Sequence, residues 1–465
     1  MTSYGPLLDQ IKQWLGYRAW ASNVPGLQAA IWLDGRVQAT IAIGYDDTQA
    51  QTPLTTSHQF RIASHSKMMT AIAVLQLRET GALDLDDKIT RWIPELAEQD
   101  GTAGVTVRHL LTHRGGILRD GLDADYWQFM KAFPDAQEFL GMARRAFGVT
   151  DIESEYKYSN IGYGLLGIIV ERASGQSYID YMRENLVERL GLTRTGADVQ
   201  PGYDGPLALG HGSDNLSRRR SRVAQDVQTK ALASATGFYS TAEELVTIAA
   251  SLFSNDSKVL NEESRQLLIT SQLPVSDPCS DVVSYGYGVR TLIVDEKPMY
   301  GHGGNYPGHT SQTLWDPETG VAVSVLVNAI EGAAIGICKG VIALMRRGIR
   351  NLPGDDTTTS ELQRFAGRYA SIWDVVDMAV LDGRLTMIWP ANADPLDGAL
   401  PLAQAGPTTF KFPRVNGSFG TGESVEFAFD DHDTVESVRV AGTTFKPVDK
   451  VTTGSSADTL LVASH

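Results

Sequence analysis

Cysteine is nearly absent: Cys279 and Cys338 are the only two in 465 residues, too few for a disulfide framework. They read as free thiols, with a single bridge between them as the alternative. Long apolar runs are also missing. None reaches the roughly 20 residues that span a bilayer; Val321 to Asn328 stops short, and the helix expected after it is flanked by Glu331 and carries Lys339. The opening Met1-Thr2-Ser3-Tyr4-Gly5-Pro6-Leu7 has neither the basic stretch nor the apolar core of a secretory leader, so a cytoplasmic protein is expected. Positive charge is scarce. Forty Lys and Arg face 55 Asp and Glu, a net charge of −15, which argues against non-specific binding to nucleic acid. With 42 % hydrophobic and 20 % charged residues, the chain is globular and not disordered. Its length is comfortable for two domains.

What is present falls into two regions. Leu27 to Leu33 and Val37 to Ile43 are β-rich, and Asp34-Gly35 between them supplies a tight hairpin turn. Ser64 to Arg78 predicts a helix apolar around too much of its circumference for a surface position, hence central and buried. Further helices are expected over Ile161 to Ala173, Tyr178 to Leu190 and Ala242 to Leu252, the last with Thr241 and Glu244 as a capping box. Tyr285 to Val294 and Thr319 to Asn328 read as strands, and Ala333 to Arg346 as a helix. The order of sheet, helices, sheet, helix fits an α/β sandwich whose two ends share one antiparallel sheet, with a helical insertion between them. Residues 1–352 form this first domain. Pro353 to Ser360 is polar and rich in breakers, a linker, and residues 361–465 carry short strands that suggest a small antiparallel β-barrel.

Three short stretches carry reactive groups. In Ser64-His65-Ser66-Lys67, a helix starting at Ser64 sets residues i and i+3 on one face, so hydroxyl and ammonium meet. A desolvated lysine loses basicity and can accept the serine proton, and a helix N-terminus favours developing negative charge. The bland alternative is a capping serine beside a surface lysine. Tyr158-Ser159-Asn160 adds a phenol for proton relay and an amide that can face both lysine and substrate; a buried tyrosine and a helix cap explain it equally well in isolation. His302-Gly303-Gly304-Asn305 offers backbone close to substrate and a second N–H for an oxyanion, where a turn histidine is the dull account. His109 and His113 share a helical spacing but lack the glutamate and third ligand of a zinc site, so packing is the better account. Arg218-Arg219-Arg220-Ser221-Arg222 reads as a solvated loop, with attraction of a carboxylate as the alternative, and His309 as a loop histidine or a cleft residue.

Taken in order, Phe60 to Lys67, Leu110 to Gly116, Tyr158 to Tyr163, Gly237 to Ala242 and His302 to Gly304 resemble the serine β-lactamase and penicillin-binding-protein superfamily. The nearest branch holds class C β-lactamases, D-aminopeptidases, D-Ala-D-Ala carboxypeptidases and esterases (the S12 peptidases). The resemblance spans roughly residues 10–350 and implies a β-lactamase/transpeptidase α/β sandwich. It implies Ser64 as nucleophile, Lys67 as base, Tyr158 and His302 as catalytic partners, and Asn160, Gly303, Gly304 and Asn305 as substrate or oxyanion contacts. The oxyanion donors are then the Ser64 and Asn305 N–H groups, and no metal or organic cofactor is required. The segment after residue 360 is similar to the lipocalin-like barrel that follows some catalytic domains of this kind, where it walls the cleft or supports a homo-oligomer.

Two departures from the family pattern bear on substrate. Ile152 to Lys157 replaces a common Pro-Gly step with charge, and the third motif has histidine where many members have Lys-Thr-Gly. The missing lysine argues against efficient β-lactam hydrolysis. The expectation is therefore a serine hydrolase acting on an amide of a small peptide or amino acid, with D-residues among the candidates. A carboxylesterase, a peptide cyclase or transacylase, a weak β-lactamase and a non-catalytic binding protein are the alternatives.

Overall fold

The computed structural model describes residues 4–213, 220–224, 227–253, 258–270, 273–275, 281–350, 361–414 and 420–450. Two compact units emerge from its internal contacts: residues 24–338, and residues 1–23 together with 339–465. The expected linker 353–360 and Cys279 lie outside the described residues. Among the described residues no helix is long and apolar enough to cross a membrane.

The larger unit is built on a nine-stranded antiparallel sheet. Its strands are β1 (Gly26–Leu33), β2 (Arg36–Asp47), β3 (Thr52–Pro53), β4 (Leu273–Pro274), β5 (Val282–Tyr285), β6 (Arg290–Val294), β7 (Lys297–Tyr306), β8 (His309–Asp316) and β9 (Val321–Val327). Their spatial order is β3-β2-β1-β9-β8-β7-β6-β5-β4. The first and last parts of the unit thus meet at the β1–β9 pair, in register from Leu27↔Val327 to Trp32↔Ala322. Strands β8 and β9 are buried at every position: β9 is almost wholly apolar, and β8 buries His309, Gln312 and Asp316, each hydrogen-bonded. The β1–β2 hairpin turns at Asp34 and Gly35, both with positive φ, as the DG step requires.

Helices α1 (His65–Glu79), α2 (Asn160–Ser174) and α3 (Ala242–Phe253) pack within this unit. In α1 only Arg78 and Glu79 escape burial, so it is the central helix its all-round apolar composition predicts. The Glu244 amide bonds the Thr241 hydroxyl at 3.3 Å, but its carboxylate turns to the Thr193 and Arg194 amides instead of closing a capping box. Tyr285 to Val294 is two strands and not one. Gly288 breaks them at φ +72°, where an added Cβ would lie 2.8 Å from the Lys67 carbonyl oxygen. The chain can lie this close to α1 only without a side chain.

The smaller unit holds the helix Gly5–Ala21 and a second nine-stranded antiparallel sheet. Its strands are β10 (Gly367–Ala370), β11 (Val375–Leu381), β12 (Arg384–Ile388), β13 (Leu400–Pro401), β14 (Ala403–Gln404), β15 (Thr409–Lys411), β16 (Ser424–Phe429), β17 (Val435–Val440) and β18 (Thr443–Pro447). The order β13-β12-β11-β10-β18-β17-β16-β15-β14 ends on two strands separated only by Leu402, so the sheet curls into a nearly closed barrel. Phe365, Tyr369, Phe410 and Phe427 fill it. Arg18 donates to the Ala391 carbonyl at 2.7 Å, and the Arg368 guanidinium lies over the Tyr17 ring at 5.0 Å, which seats the N-terminal helix on this unit.

Arg368 and Asp377 face each other across β10 and β11 and bond bidentately at 2.7 and 2.8 Å. The Asp377 side chain is 1 % exposed, and burial pushes its carboxyl up against the pull of Arg368. Removing one partner strands the other in the barrel wall. Arg368→Leu should destabilise this unit by about 3 kcal/mol in a denaturant titration, and Arg368→Leu/Asp377→Leu should recover most of the loss.

Candidate active site

Ser64 stands at the N-terminus of α1, directly after Ala63, whose φ of +47° is unusual for a residue with a side chain. This turn lifts Ser64 into partial exposure while its neighbours on both sides are buried. The hydroxyl is not spent on capping the helix. It lies 3.2 Å from Lys67 Nζ and 2.6 Å from Tyr158 Oη instead. One turn of helix separates Ser64 from Lys67, and the start of α2 brings Tyr158 and Asn160 across from a different part of the chain.

The Lys67 side chain is fully buried, yet every bond its nitrogen can make is satisfied. Asn160 Oδ1 lies 2.6 Å away and the Ala235 carbonyl oxygen 2.9 Å, with Ser64 Oγ completing the set. An ammonium donates to all three. A neutral amine donates to the first two and turns its lone pair to the Ser64 hydroxyl. Tyr158 mirrors this, as a phenol donating to Ser64 or as a phenolate accepting from it. Lys67 and Tyr158 can thus hold one proton between them in two forms, both complete in hydrogen bonds, with Ser64 Oγ as the bridge.

Electrostatics bring the two forms together. Burial lowers the Lys67 ammonium and Arg290 lowers it further, against opposing pulls from Tyr158 and Asp120, so it sits below the ordinary lysine value. Burial alone would raise the Tyr158 phenol, but the Lys67 and Arg290 cations outweigh it and the net shift is downward. Arg290 lies with its guanidinium carbon 5.5 Å from the Tyr158 ring centroid. It reaches this place because the β6–β7 hairpin turns at Asp295 and Glu296, setting Arg290 opposite Gly301.

Strand β7 closes the site from the sheet side. A Cβ on Gly304 would collide with the Ile62 carbonyl oxygen and come within 2.9 Å of the Ser64 nitrogen, so only glycine lets the strand lie against the serine turn. Among the described residues no acceptor meets the Ser64 N–H. Among the described residues no strand pairs with the outer edge of β7 beyond Gly301. Counting alternate pairs from the two-residue turn after Tyr306 aims the Asn305 N–H at that open edge. Two donors are available beside one hydroxyl, the geometry for holding an oxyanion.

His302 is placed differently from the other motif residues. It is fully buried, its Nε2 3.1 Å from Tyr285 Oη and its Nδ1 2.6 Å from the Gly303 carbonyl oxygen, so neither nitrogen is turned to Tyr158. Burial, with Arg290, His65 and Lys67 nearby, keeps the ring neutral, well below the ordinary histidine value. Gly303 packs on Gln312, whose amide donates to the His302 carbonyl at 3.1 Å. His309 is buried as well, and its Nδ1 accepts from the Arg61 N–H at 2.9 Å. His109 pairs with Glu153 at 3.0 Å, and Arg222 pairs with Asp47. Arg220 donates to the Gly212 and Ile330 carbonyls, while Arg218 and Arg219 lie outside the described residues.

Two residues of the site are invisible to motif reading. Arg290 belongs to no motif; hairpin arithmetic back from Gly301 is the signal that finds it. Asp120 accepts from Asn160 Nδ2 at 2.5 Å and Trp127 Nε1 at 3.0 Å and pairs with Arg119, fixing which way the Asn160 amide faces. No local pattern marks it. Trp127 and Phe129 each stand 6.2 Å from the ring of the buried Tyr306.

The fold, with a hydroxyl, an amine and a phenol gathered at one point, defines a protein of β-lactamase architecture. The Beta-lactamase family profile matches residues 11–334, and the chain belongs to that family. Penicillin-binding protein 4* of Bacillus subtilis (strain 168) is 26 % identical over 290 residues, 59 % of this chain; the match spans about three fifths (61 %) of that relative. D-amino acid amidase from Ochrobactrum anthropi SV3, solved with D-phenylalanine, is 26 % identical with a TM-score of 0.63, covering 73 % of this chain and 99 % of the amidase. The octameric penicillin-binding protein homologue from Pyrococcus abyssi has a TM-score of 0.66 at 23 % identity, covers 94 % of this chain and 99 % of its own, and shares the fold through both units.

With the singly protonated pair as the base for Ser64, kcat/KM is expected to rise with pH as the doubly protonated pair loses its first proton. Arg290 lowers both groups. Arg290→Met should therefore shift the rising limb of the kcat/KM profile to higher pH; an unmoved limb would show that the guanidinium is electrostatically uncoupled from the pair.

Proposed function

We propose that the protein hydrolyses an amide bond in a small peptide or amino acid amide through an acyl-enzyme on Ser64. The observation that carries this reading is one hydroxyl oxygen within 3.2 Å of a buried amine and 2.6 Å of a phenol. The Lys67–Tyr158 pair takes the Ser64 proton as Oγ attacks the carbonyl carbon. Negative charge develops on the carbonyl oxygen between the Ser64 and Asn305 N–H groups. The pair then returns a proton to the leaving amine, water attacks the ester, and Ser64 is released with the same pair acting as base and acid in turn. Asn160 holds Lys67 and presents its remaining N–H to the substrate. His302 supports the site from behind, through Tyr285 and the backbone of β7.

Similarity to D-amino acid amidase supports an amide over an ester and makes D-residues the first substrates to try. The half-buried Trp127 and Phe129 rings beside Tyr306 support an apolar side chain on the substrate. A homo-oligomer belongs to the same proposal, supported by the octameric Pyrococcus abyssi homologue. Light scattering that finds only monomer at all working concentrations would remove that part.

A panel of D- and L-phenylalanine and alanine amides, short peptides, p-nitrophenyl esters and a chromogenic cephalosporin tests the reaction class through kcat/KM. Amides of apolar residues should lead. A hundredfold preference for simple esters over every amide would make the protein an esterase. Ser64→Ala should abolish covalent labelling by a fluorophosphonate, and stoichiometric labelling of that variant would overturn the nucleophile assignment.

A further inference from the structure

His113 has no part in the reaction steps above, yet it grips the chain on both sides of Tyr158. Its carbonyl oxygen accepts from the Lys157 N–H at 2.8 Å, and its ring Nδ1 accepts from the Ser159 N–H at 3.1 Å. Its ring centroid is 4.4 Å from that of Tyr158, with an interplanar angle of 41°. The double grip depends on a left-handed backbone at His113, φ +59°, which lets carbonyl and side chain face the same strand of chain. Tyr285, Tyr163 and Tyr156 hold the other sides of the ring at 4.8, 5.0 and 5.6 Å.

The protonation state follows from the bonds. Nδ1 accepts an N–H, so the proton of the neutral ring sits on Nε2, which is buried without a nitrogen or oxygen partner among the tyrosine rings. Burial, reinforced by the positive charges of Lys67, Arg290 and Lys157, holds the ring neutral, well below the ordinary histidine value. A charged ring here would lose the Ser159 bond and repel Lys67. Ser159 in turn caps α2 through the Gly162 N–H at 2.9 Å and donates to the Leu118 carbonyl at 2.7 Å. Tyr158 is thus the one residue between two clamped peptides.

We propose that His113 is a positioning residue for Tyr158: its carbonyl and ring nitrogen fix the peptides before and after the tyrosine, and its ring backs the phenol, so that Oη meets Ser64. The proposal rests on the reading of Tyr158 as a proton carrier. A phenol must be held to well under an ångström to pass a proton across a 2.6 Å bond, and a displacement of about 1 Å costs roughly a hundredfold in rate. Plain core packing of a buried histidine predicts a loss of stability, with acylation unchanged in whatever remains folded.

The test is a double-mutant cycle on the full chain, read by kcat, KM and the rate of fluorophosphonate labelling. His113→Phe keeps a ring but loses the acceptor. It should slow acylation about a hundredfold with KM little changed. His113→Asn keeps an acceptor at the same branch of the side chain and tolerates positive φ, so it should recover about tenfold of that loss. In a Tyr158→Phe background either substitution should cost less than about threefold, because the group being positioned is gone. If His113→Phe fails to fold, the His113→Asn pair runs the same cycle. A slow Tyr158→Phe enzyme on which the His113 losses are fully additive overturns this proposal and leaves the Tyr158 reading standing. A Tyr158→Phe enzyme with the parental labelling rate overturns both.

Discussion

A lysine buried to zero exposure in the middle of an apolar core is costly unless every bond its nitrogen offers is met, and the site follows from that constraint. The acceptors come from three places: Ser64 on the same helix, Asn160 at the start of α2, and the carbonyl of Ala235. None is optional. Omitting any one leaves an orphaned donor in low dielectric, so docking α1, α2 and the segment around Ala235 is inseparable from making Lys67 tolerable. The same burial pulls the amine toward neutrality, so the packing of the core and the basicity of Lys67 are set by one arrangement.

Around this centre, backbone conformation matters as much as side chains. Ala63 and His113 are both left-handed, and Gly288 and Gly304 both sit where a Cβ would strike backbone near α1. These four positions set the distances between the serine turn, the tyrosine segment, β6 and β7. Such local strain persists only where surrounding structure over-determines it. Buried polar links below the serine do part of that work: His65 joins Thr313 at 3.0 Å and Ser311 at 3.1 Å, and Thr313 donates on to Ser324 at 3.0 Å. Burial lowers His65 to about 3, so this ladder stays neutral through the working range of pH.

Much of this was legible in the chain before any coordinates. The all-round apolar helix after Ser64, the hairpin at Asp34-Gly35 and the short strands after residue 360 follow from local pattern, which fixes element type when burial is strong. Ser64 and Lys67 were legible because their meeting is local, one helical turn. Asp120 was not, because a long-range loop crossing makes it part of the site, and Arg290 carries no motif and is reached only by counting back through its hairpin from Gly301. His302 shows the converse. Its His-Gly-Gly reads as backbone following a strand or as a turn, yet it lies inside β7, where side chains alternate faces and the motif does not say which face the ring takes. The place of the helix Gly5–Ala21 on the smaller unit rests on contacts such as Arg18 with Ala391, more than 370 residues apart, which no linear reading reaches.

Asp120 links two things that are separate in many enzymes. It accepts from the Trp127 indole, and it also holds the amide that bonds Lys67. A substitution that moves Trp127 is therefore felt at the Lys67 amine, passed along the Asp120–Asn160 and Asn160–Lys67 bonds.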